Sequence, residues 1–311
     1  MNKPLISVAL TTYNGEKYLS EQLESIINQD YKNFEIIISD DNSKDKTIEI
    51  INDYKHKYSN IIVNFNSENL GFKKNFEKAM SLCNGEFIAF SDQDDIWTSN
   101  HLSILFENIG KKDISCSNSL LVDESGLSKN VFMNEIVHFK KFPQSNSDLF
   151  TYLLFGNNFV QGSTCLLRAD FAKKNLPIPD FIDYHDHWFA LNASLNNGIA
   201  YTTESTLFYR QHESNVTTNT KSIIKNILFV LKNRKKFLGG YKKILEQCEH
   251  FRKNADTTLT TEIDLIEEFY TATIKRHFFT YSKLFVKHYK LFFNQDNYKM
   301  FWLRFIRRIM F

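Results

Sequence analysis

The chain has few cysteines and lacks the glycine-rich signatures of common nucleotide-binding enzymes. Its four cysteines are scattered without a C-x-x-C pair, which argues against a zinc knuckle or a disulfide framework and fits a reducing cytoplasm. After the first apolar run there is no G-x-G-x-x-G, as an oxidoreductase of the dinucleotide-binding kind would carry. The glycine-rich, Lys- or Arg-bearing phosphate loop of a sugar nucleotidyltransferase is missing there as well.

Long apolar runs are also missing. No stretch approaches the roughly 20 apolar residues that cross a bilayer. The segment LISVAL, residues 5–10, is too short for the core of a secretory signal and predicts a buried strand instead. We therefore expect a cytoplasmic protein that contacts a membrane only from its surface.

Charge is divided unevenly along the chain, although the net charge is only +2. Residues 1–220 carry 19 basic and 28 acidic side chains, whereas residues 221–311 carry 19 basic and 8 acidic ones. This division predicts an acidic body, residues 1–215, followed by a helical, basic and aromatic region, residues 216–311, with a hinge at Thr217–Thr220.

Short β-rich runs alternate with helical patterns over the first hundred residues. The runs are LISVAL, FEIIIS, IIVNF and EFIAFS. The alternation predicts an α/β fold with a mostly parallel central sheet and helices on both faces. Farther along, the patterns predict a helix over 147–155, a strand over 162–168, a helix in DHWFALNASL, and a strand pair in GIAYTT and TLFYRQH.

Each of the four early strands ends in polar residues. The clusters are Thr11–Asn14, Asp40–Ser43, Asn66–Asn69 and Asp92–Asp95. Ligands of open α/β sheets bind outside the carboxyl ends of the strands, so the clusters should converge on one crevice. Asp92 and Asp94 form a D-x-D that suits Mg²⁺ or Mn²⁺ together with phosphate oxygens. The alternative is a solvated acidic turn that caps the next helix through Asp95 or Asn100.

The segments TTYNGEKYL, IISDDNSKDKT and SDQDDIW follow one another in the order of a known pattern. Over roughly residues 4–215 the chain resembles the family-two inverting glycosyltransferases of the GT-A nucleotide-sugar fold. DHWFAL and YRQHESN make it most similar to bacterial polysaccharide transferases that are often labelled rhamnosyltransferases. The resemblance implies a UDP- or dTDP-sugar donor, a divalent Mn or Mg ion, and a glycan or lipid-linked glycan acceptor.

The same resemblance assigns the donor site. It places Thr11, Tyr13 and Asp41 around the base and ribose with Asp40 beside them, and Asp92 at the ribose. Asp94 would ligate the metal, which neutralises the departing nucleoside diphosphate. On the residues alone, the DDNSKD segment is also a helix cap.

Asp186 in YHDHWFALNAS lies at the head of a predicted helix, where an acid is favourable for the helix dipole alone. The resemblance gives the acid at this place the role of the base that deprotonates the acceptor hydroxyl, with inversion at the anomeric carbon. Related enzymes often have Glu immediately before it. Here the residue is His185, which leaves Asp183 as the other candidate base.

Three further residues have two interpretations each. His212 corresponds to a further metal ligand in related enzymes, but a histidine in a polar loop is also a common surface residue. Arg210 meets a phosphate or pairs with a carboxylate of the body. Lys74, next to Lys73, faces the diphosphate or remains solvated.

The C-terminal segment 299–311 places Trp302, Phe305, Ile306, Ile309 and Met310 on one helical stripe, with most basic residues off it. This pattern is typical of a helix lying on an anionic membrane, and FVLKNRKKFLGGYKKIL adds a second basic stretch. The alternative is packing on the body or on a second subunit. No nucleic-acid-binding module is recognisable.

The sequence thus predicts a metal-dependent inverting glycosyltransferase at the inner face of the cell membrane. It would move one sugar, rhamnosyl in the narrowest reading, to a lipid-linked oligosaccharide or surface polysaccharide precursor. The non-enzymatic alternative is a membrane-bound scaffold that retains only the sugar-nucleotide fold.

Overall fold

The computed structural model describes residues 3–137, 139, 141–212, 233–253 and 255–293. The chain divides into two compact units, Met1–Val137 with Phe159–Glu213, and His138–Asn158 with Ser214–Phe311. Residues 138–158 therefore belong with the C-terminal region, which the predicted division at residue 215 did not anticipate. The hinge at Thr217–Thr220 and the stripe within 299–311 lie outside the described residues.

Nine strands are described, all in the first unit. They are β1 (Ile6–Thr12), β2 (Phe34–Asp40), β3 (Ile61–Phe65), β4 (Phe87–Ser91), β5 (Ile96–Trp97), β6 (Ile114–Val122), β7 (Ser128–Phe132), β8 (Cys165–Arg168) and β9 (Ile199–Arg210). The helices of the same unit are α1 (Leu19–Ile27), α2 (Thr47–Lys57), α3 (Phe72–Ser81), α4 (His101–Ile109), α5 (Met133–Ile136), α7 (Ala169–Lys174) and α8 (His185–Ser194).

Within the described residues the strands form one sheet in the order β3-β2-β1-β4-β8-β6-β9-β5, with β7 paired to β6. The pairs among β3, β2, β1 and β4 are parallel. β8 runs antiparallel to both β4 and β6, whereas β6 and β9 are parallel to each other. This arrangement confirms the predicted α/β class, and it brings the carboxyl ends of β1, β2 and β4 to one edge.

Helices cover both faces of the parallel part, as the near-continuous apolar strands predict. On one face, Leu23 of α1, Ile51 of α2 and Leu105 of α4 belong to the same buried cluster as alternate residues of β1 and β2. On the other face, the Phe76 ring of α3 and the Phe189 ring of α8 contact Phe90 of β4. Burial on both faces fixes the sheet and therefore the positions of its strand ends.

Two local predictions were wrong. The expected strand pair in 198–212 is a single strand, β9, whose register with β6 shifts around Asn118. Since no glycine, proline or asparagine lies between its two halves, the chain bulges there instead of turning. In the predicted strand at 162–168, residues Gly162–Thr164 form a 3₁₀ turn, and only Cys165–Arg168 are extended.

The second unit is helical in its described part. Its helices are α6 (Asn146–Leu154), α9 (Arg234–Arg252), α10 (Thr257–Ile274) and α11 (Phe278–Phe293). The Tyr270 hydroxyl of α10 donates to the carbonyl of Phe155, at the end of α6, at 2.6 Å. In the described part of the chain, no helix has both the length and the apolar character needed to span a membrane.

Candidate functional site

Two adjacent carboxyl groups organise the end of β2, and both are buried. Asp40 Oδ2 accepts the hydroxyl of Thr12 at 2.8 Å and that of Ser43 at 2.6 Å. The two oxygens of Asp41 accept backbone N–H groups of residues 70–71 at 2.8 and 2.9 Å. Asp40 therefore fastens β1 to β2, whereas Asp41 lies against the loop that enters α3.

Tyr13 is joined to the D-x-D segment through Gln93. The side-chain amide of Gln93 accepts the Tyr13 N–H at 2.8 Å and donates to the Tyr13 carbonyl at 3.0 Å. The Tyr13 side chain remains about half exposed, whereas Thr11 is buried. A Cβ at Gly15 would overlap Gln93 Oε1, so a side chain there would displace this amide.

Asp94 and His212 form a close pair. His212 Nε2 lies 2.8 Å from Asp94 Oδ2. The imidazole stacks on the Tyr18 ring with centroids 5.1 Å apart, and its side chain is only 9% exposed. His212, at the end of the described body, is therefore held in place beside the D-x-D.

Arg210 is buried and fully engaged with the protein. Its Nε donates to the carbonyl of Asp94 at 3.0 Å, and its other nitrogens contact the Glu124 carbonyl and the Glu21 carboxylate. The guanidinium lies over the Tyr18 ring. Of the two interpretations, pairing with a body carboxylate describes these contacts, and the guanidinium also fixes the backbone of Asp94.

The D-x-D-D segment concentrates negative charge where water is scarce. Burial, followed by the charges of Asp94 and Asp186, raises the pKa of Asp92 to about 7. Burial, followed by the charges of Asp94 and Asp92, also raises the pKa of Asp95 well above its usual value. Because each carboxylate disfavours ionisation of the next, a cation binding here would relieve their repulsion.

Asp186 lies in the first turn of α8 and is partly buried. Its Oδ2 accepts the backbone N–H of Gly162, in the 3₁₀ turn, at 3.1 Å. Its charge acts on Asp92, so the two carboxylates share one electrostatic environment. A carboxylate in this place is stabilised by the helix N-terminus and is oriented by the neighbouring turn.

His185 faces the core. It is 6% exposed and stacks on Phe76 at 4.0 Å, with the edge of Phe90 5.0 Å away. Burial lowers the pKa of His185 to about 3, which keeps it neutral. Neither ring nitrogen has a hydrogen-bond partner among the described residues, and a Cβ on Gly162 would lie 2.8 Å from Nε2. The position next to Asp186 thus supplies packing to this site.

The two lysines of α3 differ. Lys73 Nζ donates to the carbonyls of Pro179 and Ile182 at 2.9 and 3.0 Å, which ties the loop before α8 to α3. Lys74 is exposed. Only Lys74 therefore remains open to solvent, and its contact with a diphosphate stays a prediction.

The Asp94 and His212 pair fits a divalent ion that arrives with the donor. A carboxylate oxygen and an imidazole nitrogen are both acceptable to Mn²⁺. Among the described residues, no three or more His, Cys, Asp or Glu side chains are arranged to hold a metal by themselves. Two such protein ligands would leave the remaining positions to diphosphate oxygens and water, which is how Mg²⁺ and Mn²⁺ commonly bind with nucleotides.

Sequence reasoning missed the residues that hold the site together. These are Gln93, Gly162, Tyr18, Glu21 and Lys73 in its role as a tie between loops. Gln93 lies inside SDQDD and offered the clearest signal. The others act through contacts with distant segments, for which a single sequence has no pattern.

Comparison with known proteins agrees with this geometry. The profile of Glycosyl transferase family 2 matches residues 7–176, more than half of the chain. dTDP-rhamnosyl transferase RfbG of Shigella flexneri is 29% identical over 216 residues, which cover 66% of this chain and 72% of that protein. UDP-Glc:alpha-D-GlcNAc-diphosphoundecaprenol beta-1,3-glucosyltransferase WfaP of Escherichia coli is 32% identical over 219 residues, with 69% and 80% covered.

Other relatives are matched over a shorter part. An uncharacterized glycosyltransferase of Methanocaldococcus jannaschii is 40% identical over 146 residues, or 45% of this chain. The chain spans about half the length of that protein and of the cholesterol galactosyltransferase of Borreliella burgdorferi.

Solved structures share the fold. S. aureus TarS 1-349 in complex with UDP-GlcNAc aligns with a TM-score of 0.59 at 21% identity, covering 99% of this chain and 82% of that one. The mannosyltransferase PcManGT from Pyrobaculum calidifontis, in complex with GDP-Man and Mn²⁺, aligns with a TM-score of 0.56 at 11% identity, covering 92% and 75%. With the family profile and the strand-end site in agreement, the chain belongs to glycosyl transferase family 2.

Proposed function

We propose that this protein transfers one sugar, with inversion, from a UDP- or dTDP-sugar to a hydroxyl of a lipid-linked oligosaccharide or surface polysaccharide precursor. Mn²⁺ or Mg²⁺ would bind with the donor at Asp94 and His212. One observation carries this proposal: Asp92, Asp94 and Asp186, which come from two distant segments, lie close enough that the latter two raise the pKa of the first.

The donor end of the crevice supports nucleotide binding. The half-exposed Tyr13 ring suits stacking on a base, and the Asp41 carboxylate lies beside the loop that enters α3. An imide N–H of uracil or thymine donating to Asp41 is consistent with a UDP- or dTDP-sugar. Asp92 and exposed Lys74 would then lie toward the ribose and the diphosphate.

Asp186 is the proposed base. As its carboxylate accepts the proton of the acceptor hydroxyl, that oxygen attacks the anomeric carbon and the bond from this carbon to the diphosphate breaks. The proton ends on Asp186, and the nucleoside diphosphate leaves with the bonding electrons. A single displacement inverts the anomeric centre. A bound divalent ion would neutralise charge on the departing diphosphate.

The nature of the sugar and of the acceptor is proposed from the relatives. The names of the Shigella and Escherichia relatives specify a dTDP-rhamnosyl transferase and a glucosyltransferase acting on a diphosphoundecaprenol-linked sugar. These names support a hexosyl or deoxyhexosyl donor and an acceptor presented at a membrane. We therefore place the protein at the inner face of the cell membrane, attached peripherally through its basic C-terminal region.

The proposal is tested by donor binding and by turnover, measured separately on the purified full chain. Thermal shift is recorded with UDP-, dTDP- and GDP-sugars, with Mn²⁺ and with EDTA, because a ligand of the folded state raises its apparent stability. Asp186→Asn should keep the metal-dependent shift and lose transfer to isolated lipid-linked glycan. Asp183→Asn is the matched control, since Asp183 is an exposed carboxylate three residues earlier.

The outcomes separate the alternatives. Normal turnover by Asp186→Asn together with loss in Asp183→Asn would move the base to Asp183. Metal-dependent nucleotide binding without transfer to any lipid-linked glycan would favour the scaffold alternative. No shift with any nucleotide sugar would contradict the donor site itself.

A further inference from the structure

One side of helix α11 is buried, and the opposite side is exposed to solvent. The packed side chains are Tyr281, Leu284, Phe285 and Tyr289, and they are buried. The Tyr281 ring contacts Phe269 of α10 with centroids 5.1 Å apart. On the bare side Phe279 is 86% exposed and Val286 is 63% exposed. The helix is thus anchored in the second unit while two apolar side chains project from it.

Two lysines share the bare side. Lys283 and Lys287 are exposed, and they follow Phe279 at intervals of four and eight residues. Because residues three and four apart lie on the same side of a helix, Phe279, Lys283, Val286 and Lys287 form one surface, here named the α11 face. It extends over about 12 Å along the helix.

The surroundings of the α11 face are basic. From Lys275 to Phe293 the sequence has no Asp or Glu, but it has four lysines, one arginine and two histidines. Lys275, Arg276 and His277, in the turn before α11, are exposed. Glu268 of α10 lies near this helix, and its charge acts on the partly buried His288. No carboxylate pairs with Lys283 or Lys287 within the described part of the chain.

From this arrangement we propose that the α11 face, with the turn 275–277, binds the surface of an anionic lipid bilayer. Phe279 and Val286 would enter the boundary between headgroups and acyl chains, while the lysines contact lipid phosphates. This inference gives the proposed peripheral location a defined surface. It rests on α11 and the turn before it, and it does not depend on the donor site.

Other occupants fit the α11 face less well. In a symmetric contact with a second copy, the lysines of both chains would meet across the interface, and like charges placed together oppose association. A nucleic acid would use the basic side chains but would leave Phe279 and Val286 without a binding role. An anionic bilayer satisfies both kinds of side chain at once.

Binding is tested by co-sedimentation of the full chain with vesicles of phosphatidylcholine alone and of phosphatidylcholine mixed with phosphatidylglycerol. Wild-type protein should bind the mixed vesicles only, and less at high salt. The double variant Lys283→Glu/Lys287→Glu should lower the vesicle affinity about tenfold or more. Phe279→Ser should lower it without changing its salt dependence, and because this ring is exposed the core stays intact.

The matched control is Lys55→Glu, at an exposed lysine of α2 that lies outside the basic C-terminal region. It should bind vesicles like wild type. Circular dichroism verifies that each variant keeps its helical content, and the thermal shift with nucleotide sugars should be unchanged in all of them. The thermal shift reports on donor binding, whereas co-sedimentation reports on the α11 face. Either proposal can therefore be contradicted without the other.

Three results would overturn the inference. The first is wild-type protein that does not co-sediment with the mixed vesicles. Another is binding that survives both α11 variants but disappears when residues 299–311 are deleted, because the tail would then be the binding surface. The third is a wild-type dimer, seen by analytical ultracentrifugation, that the α11 variants convert to monomer, because a second copy would then be the occupant.

Discussion

The imidazole of His212 lies 2.8 Å from the carboxylate of Asp94, although 118 residues separate them in the chain. This contact joins the D-x-D segment to the residues that follow β9. It also supplies the nitrogen and oxygen atoms that the proposed ion would use. Loss of either side chain should therefore affect metal-dependent binding more than folding.

We expect Asp94→Asn and His212→Ala to abolish the extra thermal stabilisation that Mn²⁺ gives with the cognate nucleotide sugar. Removal of one of two protein ligands should cost most of the metal affinity, because a single side chain and the phosphate oxygens must then hold the ion. Asp180→Asn, at a fully exposed carboxylate, is the control. Equal Mn²⁺-dependent shifts in wild type and Asp94→Asn would remove Asp94 from the metal site.

Arg210→Met should destabilise the protein by about 1–3 kcal/mol, because it removes the donors of a buried guanidinium. The carbonyls of Asp94 and Glu124 lose their donor in this variant. Glu21→Gln should cost less, since the new amide oxygen can still accept from Arg210 and the Glu21 side chain is 54% exposed. Chemical denaturation of both variants measures the difference, and equal losses would show that the ion pair, not the carbonyl contacts, sets the stability of this region.

Gly162→Ala should lower turnover while nucleotide binding persists. The new Cβ would lie 2.8 Å from His185 Nε2, and that ring is held by Phe76, so the 3₁₀ turn must move and its N–H must leave Asp186. Gly240→Ala is the control, because a Cβ there meets no atom within 4 Å.

Adding His185→Ala to Gly162→Ala removes the clash and should restore part of the lost turnover. The acid limb of the pH–rate profile should lie at higher pH in the single variant than in the wild type, since an N–H donor favours the ionised carboxylate. An unchanged profile with unchanged turnover would show that the amide does not position the base.

The free energy of unfolding should fall on acidification, because histidines that are buried and neutral in the native state bind a proton once the chain unfolds. Burial lowers the pKa of His101 to about 3, against an ordinary value of 6.5. Between these values the unfolded chain binds a proton that the native state does not bind. Native stability therefore decreases as pH falls from 6.5 toward 3, by about 1.4 kcal/mol per pH unit for each such group.

His101→Gln should flatten this slope, whatever its effect at neutral pH. His56→Gln, at an exposed position of α2, should leave the slope unchanged. Urea denaturation at several pH values measures both. A slope in His101→Gln as steep as in the wild type would assign the acid sensitivity to other groups.

The parallel sheet and its strand-end clusters were predictable because both depend on local order in the sequence. The apolar composition of a run such as LISVAL predicts a buried strand, and the polar residues come directly after it in the sequence. The partner of Arg210 was not predictable, since Glu21 lies 189 residues away and a sequence does not distinguish one exposed acid from another. The role of Gly162 was not predictable either, because it depends on the His185 ring of α8, which lies next to it only in the folded chain.

The contact of Gln93 with Tyr13 involves only the main chain of Tyr13. The D-x-D segment is therefore held to the residue that follows β1 whatever side chain occupies position 13. If the function is as proposed, evolution could replace the Tyr13 ring, and hence change the preference among nucleotides, without disturbing the carboxylates of the D-x-D segment. Under the proposed function, the preference for a nucleotide and the transfer of the sugar could change independently, because Gln93 contacts only the backbone of Tyr13.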